Sequence, residues 1–222
     1  MSLTDIDLQV AAREHLIAHG IDPDAPQQRT AFDLAEHMVA NAMHLLGAHV
    51  PPVFEEAEPT HPAVVAWVHS FLDRPRATSN LFMLGPTGSG KSHQAYGALR
   101  QIVLAQARRR KLFRWRTTTF ADFNAAMRPR SDDGHVEALA EFQQTDLLLL
   151  DDLGAGVTSA WTDDNLYRLI DYRWSHRLPS IVTTNLDGDD IAAVFDERVV
   201  SRLNASVDVV FDGPDRRIGG AR

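Results

Sequence analysis

The sequence predicts an α/β fold from residue 80 onward: a mostly parallel sheet with helices on both faces, preceded by a small helical module. Three observations carry this expectation. First, short apolar runs alternate with helix-length stretches from residue 80, the rhythm of strand–helix–strand units. Second, GPTGSGKS at residues 85–92 sits where one such run ends and the next helical stretch begins. Third, the run LLLLDDLG at residues 147–154 needs burial, yet it leads into adjacent carboxylates, Asp151 and Asp152. A carboxylate resists burial unless something pairs with it or binds it.

The elements follow in order. TDIDLQVAAREHLIAHG places Ile6, Val10, Leu16 and Ile17 on a helix that stops at Gly20. RTAFDLAEHMVANAMHLLG spaces Phe32, Ala35, Met38, Ala42 and Leu45 by three or four residues and closes on Gly47. HVPPVFEEAEPTHP carries four prolines and reads as extended linker. AVVAWVHSFLD is a third short helix. NLFMLG is the first strand, and KSHQAYGALRQIVLAQARRRK the helix after it. LFRWRTTTF is a strand, and residues 120–144 are polar and helical. DLLLLDD, SIVTTNL and VDVVFDG complete the strands, separated by helices over TDDNLYRLIDYRWSHR and DDIAAVFDERVVSRLN. The division is 1–50 as a helical partner-binding module, 51–79 as linker and lead-in helix, and 80–222 as the core.

Composition excludes several classes. No cysteine is present, so neither a disulfide nor a thiolate metal site is available. The longest apolar runs fall short of a membrane span, and the acidic start MSLTDIDLQV lacks the pattern of a signal peptide. A cytoplasmic protein with no membrane partner is expected. The net charge of −8 is uneven: residues 1–62 hold ten acids against Arg13 and Arg29, and the rest of the chain balances. Two modules with different partners fit that asymmetry, as does a solvated acidic surface.

GPTGSGKS matches the phosphate-binding loop G-x-x-x-x-G-K-[ST] in its required strand–loop–helix setting. Glycines let backbone N–H groups turn toward phosphate oxygens, and the helix N-terminus adds its positive end. The candidate nucleotide-binding set is Gly85, Pro86, Thr87, Gly88, Ser89, Gly90, Lys91, Ser92 and His93. Lys91 supplies charge to the β- and γ-phosphates, and Ser92 offers a hydroxyl to Mg²⁺. The aspartates then acquire a purpose. A strand beside the loop delivers them to the sheet edge where ligands bind. Asp151 is the candidate metal ligand, and Asp152 the candidate base that orients the attacking water. In TTN, Asn185 ends another strand, suited either to a hydrogen bond at the γ-phosphate or to a plain turn. Arg198 and Arg202 share a helix face and suit either a phosphate or solvent.

Taken together, GPTGSGKS, LLLLDDLG, PSIVTTNL and ERVVSRL fall in the order and spacing of AAA+ ATPases. The chain most resembles the DnaC/IstB-like branch, helicase loaders and transposition helper ATPases, over residues 50–218. VPPVFEEAEPTHPAVVAWV and LYRLIDYRWSHRLPSIVTTNL resemble that branch as well. The resemblance implies a five-stranded parallel sheet in the order 5-1-4-3-2, with Asn185 as sensor. It makes Arg202 a catalytic arginine finger acting in trans, Arg198 beside it. It further implies ATP and Mg²⁺ as cofactors and self-association in ATP-dependent oligomers. Single-stranded DNA would be contacted near the helical insertion FADFNAAMRPRSDDGHVEALAEF. Asp-Asp stands where many members have Asp-Glu, compatible with slow hydrolysis. Few residues follow the last strand, so no C-terminal lid is expected; Arg216 and Arg217 are the substitutes at hand for its arginine.

Candidate DNA contacts are Arg108, Arg109, Arg110, Lys111, Arg128 and Arg130. The first four belong to RRRKLFRWR, which packs six basic groups around Phe113 and Trp115. That stretch equally suits a basic helix end followed by a strand whose aromatics face the core. The function the resemblance implies is an ATP-hydrolysing helicase loader, its acidic helical module holding a replicative helicase. A transposase-helper ATPase shares the core and differs in its client. A P-loop kinase shares only the loop and has no use for Asn185 or Arg202.

Overall fold

The computed structural model describes residues 31–128, 134–155, 160–203 and 205–213. The helix expected over residues 4–20 therefore lies outside the described residues. Met1–Leu34 and Ala35–Arg222 are separate compact units. Helix α1 spans Ala31–His49, and most of it belongs to the second unit. A single 3₁₀ turn, Pro52–Phe54, interrupts the proline-rich stretch before α2, Pro62–Asp73. Pro62 occupies the first turn of α2, where a missing N–H costs nothing, and the His61 ring accepts from the Ala63 N–H.

Five strands follow, all parallel: β1 Asn80–Leu84, β2 Trp115–Thr119, β3 Leu147–Leu153, β4 Ser180–Thr184 and β5 Ser206–Val210. Their order is β2-β3-β4-β1-β5, the order expected. Between them run α3 Lys91–Arg108, α4 Phe120–Ala126, α5 Gly134–Gln144, α6 Ala160–Ser175, α7 Gly188–Val194 and α8 Glu197–Leu203. The stretch expected to be helical over residues 189–204 is two helices. Asp196 divides them: its carboxylate accepts from the Arg198 N–H, as an N-cap does, and so starts α8. Among the described residues of 120–144 there are likewise two helices. The Thr119 hydroxyl caps α4 by accepting from the Asp122 N–H.

Strand alternation builds two cores. Leu81, Met83, Leu147, Leu149, Ile181 and Val209 face one side, against α2, α3 and the second half of α1. Phe82, Leu148, Leu150 and Val182 face the other, against the helices from α4 to α8. The four leucines that open β3, Leu147 to Leu150, are thus fully buried in alternate directions, each contributing on the order of 1.5–3 kcal/mol. This is why the run is continuous rather than alternating with polar residues. In α1 the buried positions are Ala42 and Leu46, followed by Val50; Leu45 is exposed, one residue off the expected stripe.

The lead-in segment is tied down across α3. The Gln94 side-chain oxygen accepts from the Thr60 and His61 N–H groups at 2.8 Å, and its amide donates to the Thr60 hydroxyl. Phe54 stacks on Tyr96 at 4.7 Å. A side chain at Gly97 would collide with the Glu58 and Pro59 backbone, so glycine is required for this crossing. Burial pushes the Tyr96 phenol up to about 12, which keeps it a neutral hydroxyl bonded to Thr117. Among the described residues no helix is long and apolar enough to cross a membrane.

Candidate nucleotide site

The chain leaves β1 toward β2 on one side of the sheet and later crosses to β5 on the other. Ligands bind in such sheets beyond the carboxyl ends of the strands, at this switch point. The residues just beyond β1 and β4, neighbours in the sheet, are Gly85 and Asn185. Between them opens a cleft of about 340 Å³, lined by Thr87, Gly88, Gly90, Lys91, Ser92, His93, Asp152 and Asn185. Val53 and Phe54 close it from the lead-in segment.

The loop has the backbone its glycines predict. Gly85, Gly88 and Gly90 adopt φ values of 143°, 80° and 101°. A Cβ at Gly85 would stand 2.2 Å from the Phe211 carbonyl oxygen, so the loop can leave β1 only on a glycine. Lys91 is 4% exposed. Its ammonium donates to the Gly85 and Pro86 carbonyls at 2.7 and 2.9 Å and to Asn185 Oδ1 at 2.8 Å. Phosphate oxygens are stronger acceptors than these neutral ones, because both partners are then charged. The Ser89 hydroxyl is buried within the loop without a hydrogen-bond partner. An orphaned hydroxyl in a glycine-rich loop that leads into a helix N-terminus fits an anionic ligand.

Asp151 and Asp152 are neighbours, and neighbours on a strand normally point to opposite faces. The structure brings both to the site by a bulge. Leu150 pairs with Val182 but Leu153 pairs with Thr184, which gives β3 one extra residue. Asp152 takes φ 55°, a left-handed conformation that costs a non-glycine residue about 1–2 kcal/mol. Thr183 fixes the arrangement: its hydroxyl accepts from the Asp152 N–H at 2.9 Å and donates to Asp151 Oδ1 at 2.6 Å. Ser92 Oγ donates to the same Asp151 oxygen at 2.9 Å. Asn185 Nδ2 lies 3.4 Å from Asp152 Oδ1. The predicted set of Lys91, Ser92, Asp151, Asp152 and Asn185 therefore converges, held by Thr183, which no motif singles out. Val53 and Phe54 were equally hidden; the one signal is an aromatic in a proline-rich linker.

Burial raises the Asp151 carboxyl above the usual carboxylate range, and the Asp152 charge adds to the effect; the Thr183 and Ser92 hydroxyls and Lys91 oppose it. The folded state thus binds the Asp151 proton more tightly than the unfolded chain does. Stability falls as pH rises from the unfolded carboxyl pKa through the folded one. Asp151→Asn keeps the acceptor for both hydroxyls and removes that loss. It is expected to raise the melting temperature of the nucleotide-free protein at neutral pH, with the gain vanishing in acid. Thermal melts across pH check this.

Ser92 Oγ and Asp151 are donors of the oxygen type that Mg²⁺ prefers, and they lie side by side. Among the described residues no group of three or more histidines, aspartates and glutamates could hold a metal ion. These two donors are the kind that shares an ion with phosphate and water, which is how Mg²⁺ is usually held.

The remaining candidates lie elsewhere. Arg202 does not line the cleft. Its guanidinium pairs with Asp171 at 2.5 Å, donates to the Arg198 carbonyl, and lies over the Tyr167 and Trp174 rings. Arg198 pairs with Asp196 and stacks on Tyr167 at 4.3 Å. Residues 108–111 and Arg128 do not share a surface. The helix α3 starts at the loop and ends at the opposite edge of the sheet, where β2 begins. Arg128 follows α4, which starts beyond the carboxyl end of β2, and the neighbouring Met127 carbonyl accepts from the Trp161 indole near the start of α6. Phe113 and Trp115 pack against the core. Arg130, Arg216 and Arg217 lie outside the described residues.

A five-stranded parallel sheet in this order, with a phosphate loop after β1, acids ending β3 and a polar residue ending β4, defines an ATP-binding AAA+ protein. The model of the IstB-like ATP binding protein family matches residues 62–208, well over half of the chain. The chain belongs to that family. It is 26% identical over 133 residues to the replicative helicase loader DnaC of Escherichia coli K12, covering 58% of this chain and 52% of that protein. The chain spans about half the length of the curated relatives it matches. In fold it resembles the crystal structure of the DnaC helicase loader, with a TM-score of 0.62 and 22% identity over 73% of this chain and 100% of that one. It also resembles AMPPCP-bound DnaA from Aquifex aeolicus, with a TM-score of 0.61 and 21% identity over 73% of this chain and 51% of that one.

Proposed function

We propose that the protein is an ATP-hydrolysing helicase loader that binds single-stranded DNA and a replicative helicase. The observation that carries the catalytic part is the convergence of Lys91, Ser92, Asp151, Asp152 and Asn185 on one cleft through hydrogen bonds of 2.6–3.4 Å. Lys91 and the loop N–H groups bind the phosphates. Ser92 and Asp151 would hold Mg²⁺, which would supply charge stabilisation at the phosphate oxygens. Asp152, turned to the cleft by its left-handed backbone, orients and polarises the attacking water. Asn185 bridges Lys91 and Asp152, so it touches both the phosphate-binding and the water-orienting groups.

Arg202 acts on the ATP of a neighbouring copy, which places the protein in ATP-dependent oligomers. Its pairing with Asp171 keeps it on its own chain until a neighbour offers a better anion. Residues 1–50 form the partner-binding module, 51–79 the lead-in and 80–222 the ATPase core, at work in the cytoplasm. The relatives named as replicative helicase loaders support a helicase as client.

The test is steady-state ATP turnover with Mg²⁺, with and without single-stranded DNA, in the wild type and Asp152→Asn. Loss of the base is expected to cut turnover by about 10²–10⁴-fold while ATP binding persists. Wild-type ATP binding with no turnover under any condition would leave a nucleotide-dependent switch in place of an enzyme. Capture of a transposase instead of a helicase by the full chain would keep the site assignments and change the client.

A further inference from the structure

The edge of the sheet opposite the nucleotide cleft is basic. Arg74 and Arg76 follow α2, residues 108–111 end α3 and follow it, and Arg177 follows α6; all are exposed. Two hydrogen bonds join these groups into one surface. Arg76 donates to the His176 carbonyl at 2.9 Å, next to Arg177. Arg109 donates to the Leu72 carbonyl at 2.6 Å, next to Asp73 and Arg74. Asp73 lies on this stretch and pairs with Arg74, and Asp146 is spent on the Arg114 N–H. In a chain of net charge −8, a continuous cationic surface is not the average of its composition.

One end of the surface also offers a ring. A groove of about 370 Å³ runs between the starts of β1 and β4, lined by Arg76, Thr78, Asn80, Trp174 and Arg177. Trp174 is 55% exposed. A lone basic patch serves any polyanion, but cations flanking an exposed indole suit a strand whose bases are free to stack. Duplex DNA hides those faces.

We propose that this edge is a track for single-stranded nucleic acid. Phosphates run from residues 108–111 past Arg74 and Arg76 to Arg177, and one base stacks on Trp174. The proposal rests on the single-stranded DNA binding proposed above and gives it a place away from the ATP cleft and away from Arg128. It also places the strand against a ring that carries Arg202 on it, at 5.4 Å from the centroid.

The test uses the full chain and a fluorescent oligo-dT, read by anisotropy across a salt series. Arg76→Glu with Arg177→Glu at one end, and Arg108→Glu with Lys111→Glu at the other, are each expected to weaken binding at least about tenfold at low salt. Each pair should also flatten the slope of log affinity on log salt by about 1.4, two contacts at roughly 0.7 each. Arg128→Glu is expected to bind as the wild type does. Unchanged affinity for fluorescent ATP analogue shows that the variants are folded. If both pairs bind DNA normally, the strand lies elsewhere and the proposal fails while DNA binding stands. If the wild type binds no oligo-dT with or without ATP, the DNA part of the function fails along with it. A hairpin duplex that binds as tightly as oligo-dT would overturn the stacking role of Trp174.

Discussion

Replacing Lys91 with alanine is expected to remove ATP binding. Among the described residues Lys91 is the one Lys or Arg side chain lining the cleft, and its acceptors include two carbonyls of the loop and Asn185. Hydrogen bonds to charged groups are worth about 1.5–3 kcal/mol each, so two lost phosphate contacts amount to roughly 10²–10⁴-fold in affinity. Lys91→Met separates charge from packing, because it keeps most of the buried stem. Titration with a fluorescent ATP analogue reads both variants, and circular dichroism reports whether they fold. Wild-type affinity in a folded Lys91→Met would overturn the assignment of the loop.

The second large effect is on stability and concerns Arg173, which is 1% exposed and far from the cleft. Its guanidinium donates to the carbonyls of Phe142, Gln143 and Thr145, which end α5, and to the Pro179 carbonyl and Ser180 hydroxyl, which begin β4. Burial pushes its pKa down, and it remains charged at neutral pH. Arg173→Ala strands several carbonyls in a dry interior. A loss of about 3–5 kcal/mol is expected, the range for breaking buried charged networks. At roughly 2–4 °C per kcal/mol for a chain of this size, the melting temperature should fall by about 10 °C. Arg173→Lys should rescue little, since an ammonium has three donors and no planar fork. Urea denaturation of the three proteins decides it; equal midpoints would show that the network contributes nothing.

The parallel sheet and the position of the phosphate loop were legible because they follow from burial, periodicity and a motif with fixed geometry, whereas the order of the strands came only with the family resemblance. The apolar run over residues 147–150 could be read as buried from composition alone. Adjacent aspartates could not be placed from the strand pattern, since simple alternation would have parted them. Their meeting needs the bulge and the left-handed Asp152, and both depend on a hydroxyl from β4, thirty-one residues on. Arg202 was legible as an arginine on a helix face, whereas its pairing with Asp171 arises only when α6 and α8 meet. The basic run after α3 was visible as charge. Its continuation through Arg76 and Arg177 was not, because chain distance conceals what two backbone carbonyls bring together.

The placement of β1 between β4 and β5 sets an order of assembly during synthesis. The strand that carries the phosphate loop emerges from the ribosome first of the five, yet both its neighbours are the last two made. Gly85 then rests against Phe211, beyond β5. A nascent chain that has exposed β1, β2 and β3 holds its loop without either flanking strand and without Asn185. Nucleotide should therefore have no purchase on the growing polypeptide, and the ATP-bound form should arise only after the final strand has cleared the exit tunnel. Until then the flanks of a strand that is apolar from Leu81 to Leu84 remain open to the cell's holdases.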